Sequence, residues 1–365
     1  MISSDAQVEK ANPKVESLAR LIRVLTIAFN LLVVLIVGFI LVVTYGDKME
    51  NHIQDFFSTS SRIQPQANPD SPESGEIFWH APELPKTGDL ATLAQIEYGR
   101  ELIMHTSRYL GPKGIVQASS NGMNCQNCHL EAGTKVFGNN YGSVASTYPK
   151  FRARSGSNED IVKRVNDCFE RSLNGKALDS TSREMNAIKA YITFVGSNVP
   201  KGEKANGSGL KALAYLDRAA DPEKGKIVFT TKCVSCHQPD GQGQFNPDGT
   251  EYIYPPLWGK HSYNDGAGLY RVSTFAKYVK YNMPQGVTHL SPQLTDEEAW
   301  DVAAYVNSQP RPHKDVPKDW PDIAKKPADH PFGPFVDTFS EQQHKYGPYK
   351  PIISYMDSIA KSVSK

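Results

Sequence analysis

The chain has 365 residues, which is enough for two ordinary domains with a core in each. Its 40 Lys and Arg residues nearly balance 39 Asp and Glu residues, so the net charge is +1 and the overall charge predicts no nucleic-acid partner. Any electrostatic recognition must therefore be local.

The first predicted element is a membrane anchor at residues 24–44. This run is almost entirely Leu, Ile, Val and Phe, and it has the roughly 20 residues that a helix needs to cross a bilayer. Four cationic residues precede it: Lys10, Lys14, Arg20 and Arg23. They predict that residues 1–23 lie in the cytoplasm. A cleaved signal peptide is the alternative, but its apolar region would be shorter, and no small-residue cleavage site follows. Residues 45–80 are predicted to be a periplasmic linker because residues 58–75 within them are rich in Ser, Pro, Gln and Asn.

Residues 81–200 form the first predicted globular unit, which carries a Cys-Gln-Asn-Cys-His motif at 125–129. A motif of the same kind lies at 233–237, although chance predicts only about 0.002 matches in such a chain. Cys at i and i+3 with His at i+4 share one face of a short helix, so two thiols can reach one porphyrin while the imidazole binds its iron. The motifs predict two covalently bound haem c groups. Their attachment residues are Cys125, Cys128 and His129 in one motif and Cys233, Cys236 and His237 in the other.

A structural zinc site and a redox dithiol are the alternatives for these motifs. Zinc would need further Cys or His ligands in tetrahedral sets, and the fifth cysteine, Cys168, cannot complete two of them. Covalent haem attachment is normally completed outside the cytoplasmic membrane. We therefore expect a single-pass protein of the bacterial cytoplasmic (inner) membrane with both haem domains in the periplasm.

Cys168 lies in a predicted helix between two others, one around 93–109 and one from Ser182 to Val195. The predicted N-cap of the Cys168 helix is Ser157, with Asp160 three residues later, and Asn174-Gly175 is its predicted end. Arg164 and Ser172 lie four residues before and after Cys168, next to an apolar side.

A buried structural cysteine is the alternative for this lone thiol. Nearby guanidinium groups favour the thiolate, which is the nucleophile and the better iron ligand. Arg152 and Arg154, just upstream of the helix, add further positive charge. The segment around Cys168 therefore predicts an anion site.

The second predicted unit, residues 210–310, follows a predicted linker at 201–209 and repeats the plan of the first. A helix precedes its motif, a Pro-Pro-Leu-Trp-Gly loop follows at 255–259, and Thr295 begins the last helix with a capping box. This is the order of a class I cytochrome c domain. The predicted fold is therefore all-α, with two tandem class I cytochrome c-like domains preceded by a single N-terminal transmembrane helix.

His129 and His237 are the predicted proximal iron ligands. Met283, in a Met-Pro loop before the last helix, is the predicted axial ligand of the second iron, with His289 as the alternative. The first unit has no comparable Met, and Cys168 occupies that part of its sequence. Residues 311–365 are rich in Pro, Lys and Asp and are predicted to form an extended C-terminal strap.

Several motifs resemble those of the dihaem c-type thiosulfate dehydrogenases, which form tetrathionate. They are Phe-Arg-Ala-Arg-Ser-Gly at 151–156, Arg-x-x-x-Cys-Phe-Glu-Arg-Ser-x-Asn-Gly at 164–175, Ser-Arg-Glu-Met at 182–185, the 255–259 loop and Asn-Asp-Gly-Ala-Gly at 264–268. The resemblance spans about residues 81–310. The first unit is also similar to the haem subunit of bacterial sulfur-oxidation complexes.

The resemblance implies a role for each predicted site residue. His129 and Cys168 would ligate the first iron, where thiosulfate binds. Arg154, Arg164 and Ser172 would line the substrate pocket. His237 and Met283 would ligate the second iron, from which electrons leave.

The implied reaction couples two thiosulfates into tetrathionate and releases two electrons; some members of the family run it in reverse. A thiolate-ligated haem has the lower potential and a His/Met haem the higher one. Electrons are therefore expected to run from the first haem to the second, and then to an external c-type cytochrome or a membrane respiratory complex.

Two other functions compete with this one. The anchor and the residues after 310 are also typical of a membrane-anchored dihaem electron-transfer subunit of a respiratory complex, without sulfur-substrate turnover. A gas sensor, in which Cys168 would leave the iron, is the third hypothesis.

Overall fold

The structure is a computed structural model and describes residues 25–26, 29–33, 77–84 and 87–363. The chain divides into two compact units, Met1–Glu73 and Ser74–Lys365. In the first unit, the described residues are helical and exposed. The predicted anchor and the segments on either side of it lie mostly outside the described residues. None of the described helices is both long and apolar enough to cross a bilayer.

The second unit, in the part that the structure describes, is mostly helical. Its α-helices are α1 (Leu90–Met104), α2 (Thr106–Leu110), α3 (Leu130–Gly133), α4 (Val144–Thr147), α5 (Ile161–Arg171), α6 (Arg183–Val195), α7 (Pro222–Lys232), α8 (Val234–His237), α9 (Val272–Asn282), α10 (Asp296–Ser308), α11 (Glu341–Tyr346) and α12 (Tyr349–Val363). Short 3-10 helices span Cys125–Asn127, Gly268–Tyr270 and Ile323–Lys325.

Two short antiparallel hairpins interrupt the predicted all-helical fold. In the first, β1 (Lys150–Arg152) pairs with β2 (Ser157–Glu159), with Phe151 opposite Asn158. In the second, β3 (Gln244–Phe245) pairs with β4 (Tyr252–Tyr254) across an irregular register. The sequence predicts neither hairpin, and Ser157, the predicted N-cap of the Cys168 helix, lies in β2.

The two cytochrome-like regions are built on the same helix crossing. In the first, α1 packs on α6 at Gly99, where a Cβ atom would lie 2.0 Å from the Ala187 carbonyl oxygen. In the second, α7 packs on α10 at Gly225, where a Cβ atom would lie 1.9 Å from the Asp301 carbonyl oxygen. Only glycine allows the two backbones to approach this closely. Each crossing holds in place a helix that precedes a haem-attachment motif in the sequence.

Helix capping confirms one sequence prediction and corrects another. Thr295 and Glu298 form the predicted capping box of α10, with Thr295 Oγ1 accepting from the Glu298 N–H at 3.1 Å. For α5, however, Asp160 is the N-cap and accepts from the Lys163 N–H at 2.8 Å. Ser157 lies instead in β2, where it pairs with Arg152. The hairpin takes the residues before Asp160, so the helix begins later than the pattern predicted.

The C-terminal segment lies along both haem-binding regions. From 311 to 340 it is mainly irregular, in accord with its Pro content, but it then forms α11 and α12, which the composition did not predict. Ser340 caps α11, and Tyr349 and Ile352 of α12 are buried. The segment is held by side-chain contacts as well. Asp329, for example, is 2 % exposed and binds Arg271 and Ser273.

Candidate active site

The first Cys-x-x-Cys-His motif is positioned by the turn between α1 and α2. Thr106 Oγ1 accepts from the Cys125 N–H at 2.9 Å and donates to the Leu102 carbonyl at 2.7 Å. The neighbouring Asn124 and Asn127 cap the 3-10 helix reciprocally. Thr106 thus links the first residue of the motif to the backbone of α1.

The proximal imidazole of this motif has a defined tautomer. His129 Nδ1 lies 2.5 Å from the Asn139 carbonyl oxygen and donates to it, and the ring stacks on Tyr141 at 4.6 Å. Nε2 therefore keeps its lone pair for a metal. Burial lowers the pKa of His129 to about 4, so the ring is neutral near pH 7, as an iron ligand must be.

A cavity of about 500 Å³ adjoins this motif, and Cys168 lines it together with Cys125, Cys128 and His129. Helix α5 supplies Cys168, and Arg164 and Ser172 line the same cavity from one turn before and one turn after it. The structure thus brings these three predicted site residues to the first attachment motif. The Cys168 sulfur is close enough to raise the pKa of Arg164.

Arg154 is the exception among the predicted pocket residues, because it lies outside the lining of this cavity. Its guanidinium group donates to the Gly266 carbonyl at 3.2 Å and lies 3.8 Å from the carboxylate of Asp319. It also lies over the Trp320 ring, 5.6 Å from the centroid. Burial and the neighbouring Arg171 lower the pKa of Arg154 to about 10. Arg154 therefore contacts the C-terminal segment and Gly266, and it does not line the cavity that contains Cys168.

Other cationic residues line the cavity instead. Lys150 and Arg152 come from β1, and Lys204 comes from the segment 201–209 that was predicted as a linker. Sequence reasoning missed Lys150 and Lys204 and had noted Arg152 only as upstream charge. No helical period connects these residues to Cys168. In a polar segment, the sequence alone does not distinguish a lysine that lines a cavity from one that points into solvent.

The second motif forms α8 and has a similar local geometry. His237 Nδ1 donates to the Pro255 carbonyl at 2.9 Å, so its Nε2 is also available to a metal, and burial lowers its pKa. A cavity of about 660 Å³ is lined by Cys233, Cys236 and His237 together with Met283, which follows the last residue of α9. Met283 therefore lies in the cavity of the second motif, and its role as an iron ligand stays a prediction.

His289, the alternative axial ligand, does not line this cavity. Its ring packs edge-on against Phe78 and Phe137, with centroids 4.9 Å away in each case. The geometry favours Met283.

The two cavities share part of their walls. Met123, Asn124 and Cys128 line both of them. Tyr278 of α9 donates to the Asn127 carbonyl at 2.7 Å, and Lys135 Nζ donates to the Val287 carbonyl at 3.1 Å. The first attachment motif therefore forms a wall of the second cavity, and the two sites are neighbours.

These residues fit two haem c groups. Each cavity has hundreds of Å³ of space, largely apolar walls, two thiols and a neutral imidazole with an available nitrogen. Within the described ranges, no cluster of three or more His, Cys, Asp and Glu side chains could hold a bare metal ion, so the zinc alternative gains no support.

Comparisons with known proteins agree with this geometry. Residues 116–200 match the family described as SoxA/TsdA, cytochrome c domain, and residues 222–310 match the Cytochrome c family.

Curated relatives extend the similarity across both haem-binding regions. The chain is 39 % identical over 231 residues to the thiosulfate dehydrogenase of Psychrobacter arcticus, covering 62 % of this chain and 67 % of that one. It is 38 % identical over 218 residues to the thiosulfate dehydrogenase of Allochromatium vinosum, covering 58 % of this chain and 79 % of that one.

A solved structure is similar as well. The thiosulfate dehydrogenase TsdBA from Marichromatium purpuratum, in its "as isolated" form, superposes with a TM-score of 0.60 at 27 % identity. The match covers 65 % of this chain and half of that one. The two cytochrome c domains each bind a covalently attached haem c group. With both domains matched and relatives covered over two thirds or more of their length, the chain belongs to the thiosulfate dehydrogenase family.

Proposed function

We propose that the protein oxidises thiosulfate to tetrathionate in the first cavity and passes the electrons through the second site to an external acceptor. One observation carries the proposal: a cysteine and an arginine, Cys168 and Arg164, share the cavity of the first haem-attachment motif. The relatives named thiosulfate dehydrogenase support the choice of substrate.

The binding step follows from charge. Thiosulfate is a dianion, and the planar guanidinium group of Arg164 can hold an oxyanion with paired hydrogen bonds. The Ser172 hydroxyl, on the same side of α5, can donate one more. Together they would position the outer sulfur of thiosulfate toward Cys168.

The chemical step balances without a proton. The Cys168 thiolate and the outer sulfur of one thiosulfate form an S–S bond, and two electrons leave. The outer sulfur of a second thiosulfate then attacks the sulfur that came from the first, which releases tetrathionate and regenerates the Cys168 thiolate. In total, two thiosulfate dianions give one tetrathionate dianion and two electrons.

The ligand sets are proposals of the same kind. We assign His129 and Cys168 to the first haem and His237 and Met283 to the second. When bound, the two haems would each supply a one-electron acceptor. A thioether ligand would give the second haem the higher reduction potential. The shared walls formed by Asn124 and Cys128 support a short route between them.

Location and partners are inferred from the sequence. We propose that residues 24–44 anchor the chain in the bacterial cytoplasmic membrane, with the haem domains in the periplasm. The acceptor would be a c-type cytochrome or a membrane respiratory complex. The apolar run and the cations before it support the anchor. A chain that begins after residue 44 should leave the membrane fraction, and its retention there would contradict the proposal.

Product analysis tests the activity directly. The dihaem protein is incubated with thiosulfate and an oxidised cytochrome c, and tetrathionate and reduced cytochrome are both quantified. We expect one tetrathionate for every two cytochromes reduced, and none from Cys168→Ala with both haems attached. Reduction of the cytochrome without tetrathionate would contradict the proposal. A protein that exchanges electrons but never turns over sulfur compounds would instead be the electron-transfer subunit.

A further inference from the structure

The first cavity carries an excess of positive charge. Lys150, Arg152, Arg164 and Lys204 line it, and no Asp or Glu is among the described residues of its wall. Two carboxylates lie near these cations. Glu159 is 2 % exposed and lies 4.0 Å from Arg152 Nε, and Asp167 is bound by Lys163; both raise the pKa of Arg164. Since Lys163 offsets the charge of Asp167, Glu159 alone is left to balance the four cations. The second cavity differs, because Glu131 lines it together with Lys135 and Lys232.

The other partly buried arginines in the described chain all have hydrogen-bond or ion-pair partners. For most of them the partner is acidic, whereas Arg311 donates to three backbone carbonyls. Arg171 binds Asp319 through two hydrogen bonds of 2.9 and 3.0 Å. Arg218 binds Asp301 in the same way, at 2.7 and 2.8 Å. In the first cavity, by contrast, the Arg164 guanidinium has no hydrogen bond or ion pair to any residue that the structure describes. The described chain therefore supplies no partner for this guanidinium group, and a bound anion, either thiosulfate or a carboxylate of the haem, would balance its charge.

The four cations fall into two groups. Arg164 belongs to α5 and lies beside Cys168, with Ser172 one turn beyond the cysteine. Lys150 and Arg152 belong to β1, and Lys204 is exposed and comes from the loop that follows α6. The pKa of Lys150 is lowered by partial burial and then by the charges of Arg152, Lys204 and Arg164. The effects of Arg152 and Lys204 on Lys150 are larger than that of Arg164, in accord with this grouping.

The loop that carries Lys204 is fixed rather than free. Lys201 Nζ donates to the carbonyls of Ala145 and Tyr148, and the Gly202 N–H donates to the Ser146 carbonyl at 2.9 Å. Ser146 Oγ donates in turn to the Glu203 carbonyl at 2.7 Å. These bonds hold Lys204 at the side of the cavity formed by the residues before β1.

We propose that Lys150, Arg152 and Lys204 form an outer anion subsite that holds the sulfonate of the second thiosulfate. This inference rests on the proposed function and adds to it the position of the second substrate. The inner subsite at Arg164 would hold the first thiosulfate beside Cys168. Two dianions would otherwise repel each other, and a separate cationic group for each one offsets that repulsion. Tetrathionate, with a sulfonate at each end, would span both subsites.

The test uses the dihaem protein with Lys150→Gln, Lys204→Gln and the double variant. Lys189→Gln is the matched control, because Lys189 is an exposed lysine of the same region that does not line the cavity. Each subsite variant should raise the KM for thiosulfate about five- to tenfold, and the double variant more, because a charge-assisted contact to the anion is lost. Lys204→Arg keeps the positive charge, so its KM for thiosulfate should stay near the wild-type value. The salt dependence of kcat/KM should become shallower in the subsite variants, which a purely structural defect would not cause.

Equilibrium binding separates this inference from the proposed function. Tetrathionate binding is measured by calorimetry on the oxidised protein, where no turnover is needed. Binding about tenfold weaker in the double variant than in Lys189→Gln supports the subsite, even if the wild type forms no tetrathionate and the proposed function fails. Equal KM values, salt dependence and tetrathionate affinity in the double variant and the control would overturn it.

Discussion

The tautomer of each motif histidine, His129 and His237, is fixed by a hydrogen bond to one backbone carbonyl. Asn139 accepts from His129, and Pro255 accepts from His237, so in both rings the nitrogen that can meet iron is Nε2. A backbone acceptor holds this tautomer in place whatever side chains surround it. The two cavities differ in the sulfur that lines them, which is the Cys168 thiol in the first and the Met283 thioether in the second. Under the proposed ligand sets, these two groups would complete the coordination of the two irons.

The Met283 assignment predicts a change in redox potential. Replacing Met283 with His should lower the midpoint potential of the second haem by on the order of 0.1 V, since axial ligands set haem potentials over a range of about 0.8 V. Optical redox titration of the dihaem protein measures it. His289→Phe is the control and should leave both potentials unchanged. A shift in the control, with none in Met283→His, would assign the ligand to His289.

At the residue scale, local patterns were predictable and long-range pairings were not. Arg164, Cys168 and Ser172 lie on one helix, so their spacing alone brings them to one side of it. Lys204 reaches the same cavity from another segment. Arg154 does not line the cavity and lies beside Asp319, more than 150 positions later. No short-range pattern in the sequence encodes either contact.

At the scale of elements, the C-terminal segment connects α5 to the second haem-binding region. Asp319 binds Arg171 of α5 and lies near Arg154, and Trp320 N–H donates to the Arg154 carbonyl at 2.7 Å. Farther along, Asp329 binds Arg271 at the start of α9. The Pro-rich composition predicted a strap, but it could not predict which arginines the strap would bind.

Asp319→Asn tests the contribution of this segment to stability. Asp319 and Arg171 are each 12 % exposed, and removing one partner of a largely buried pair leaves the other charge uncompensated. We expect the free energy of unfolding to fall by about 2–4 kcal/mol in guanidinium titrations. Asp217→Asn removes the exposed partner of Lys350 in another ion pair with this segment and should have no measurable effect. Equal effects of the two substitutions would contradict the importance of the buried pair.

The same segment should make the protein sensitive to acid. Burial, followed by the charge of Lys326, lowers the pKa of His330 from 6.5 to about 3, and the ring packs against Trp320 and Phe332. Between these two values the unfolded chain binds a proton that the folded chain does not. His330 therefore costs no stability above pH 6.5, and it costs up to about 1.4 kcal/mol per pH unit as the pH falls.

His330→Phe removes this proton and keeps an aromatic ring. Near pH 7, the free energy of unfolding should depend on pH to about the same small extent in the wild type and the variant. At pH 5 the wild type should have lost about 1–2 kcal/mol more than the variant, relative to pH 7, in the free energy of unfolding. Parallel losses in the two proteins between pH 7 and pH 5 would show that His330 stays accessible to protons.

At the scale of the whole molecule, the proposed function places substrate binding in the first cavity and electron exit at the second. The cationic wall belongs to the first cavity, and the thioether belongs to the second. The two cavities meet at the first attachment motif, where Tyr278 of the second region hydrogen-bonds to the Asn127 carbonyl. The repeated motifs predicted two cytochrome c domains, and the comparisons confirm them. The residues shared by the two cavity walls depend on how the domains pack against each other, which sequence motifs alone do not predict.

The central claim is that thiosulfate delivers its electrons at Cys168. The most direct measurement mixes thiosulfate with the oxidised dihaem protein and follows the haem absorption bands, in wild type and in Cys168→Gly. We expect reduction in the wild type, appearing mainly at the second haem because its potential is higher, and none in Cys168→Gly with both haems still attached. Equal reduction of both proteins by thiosulfate would contradict an active site at Cys168.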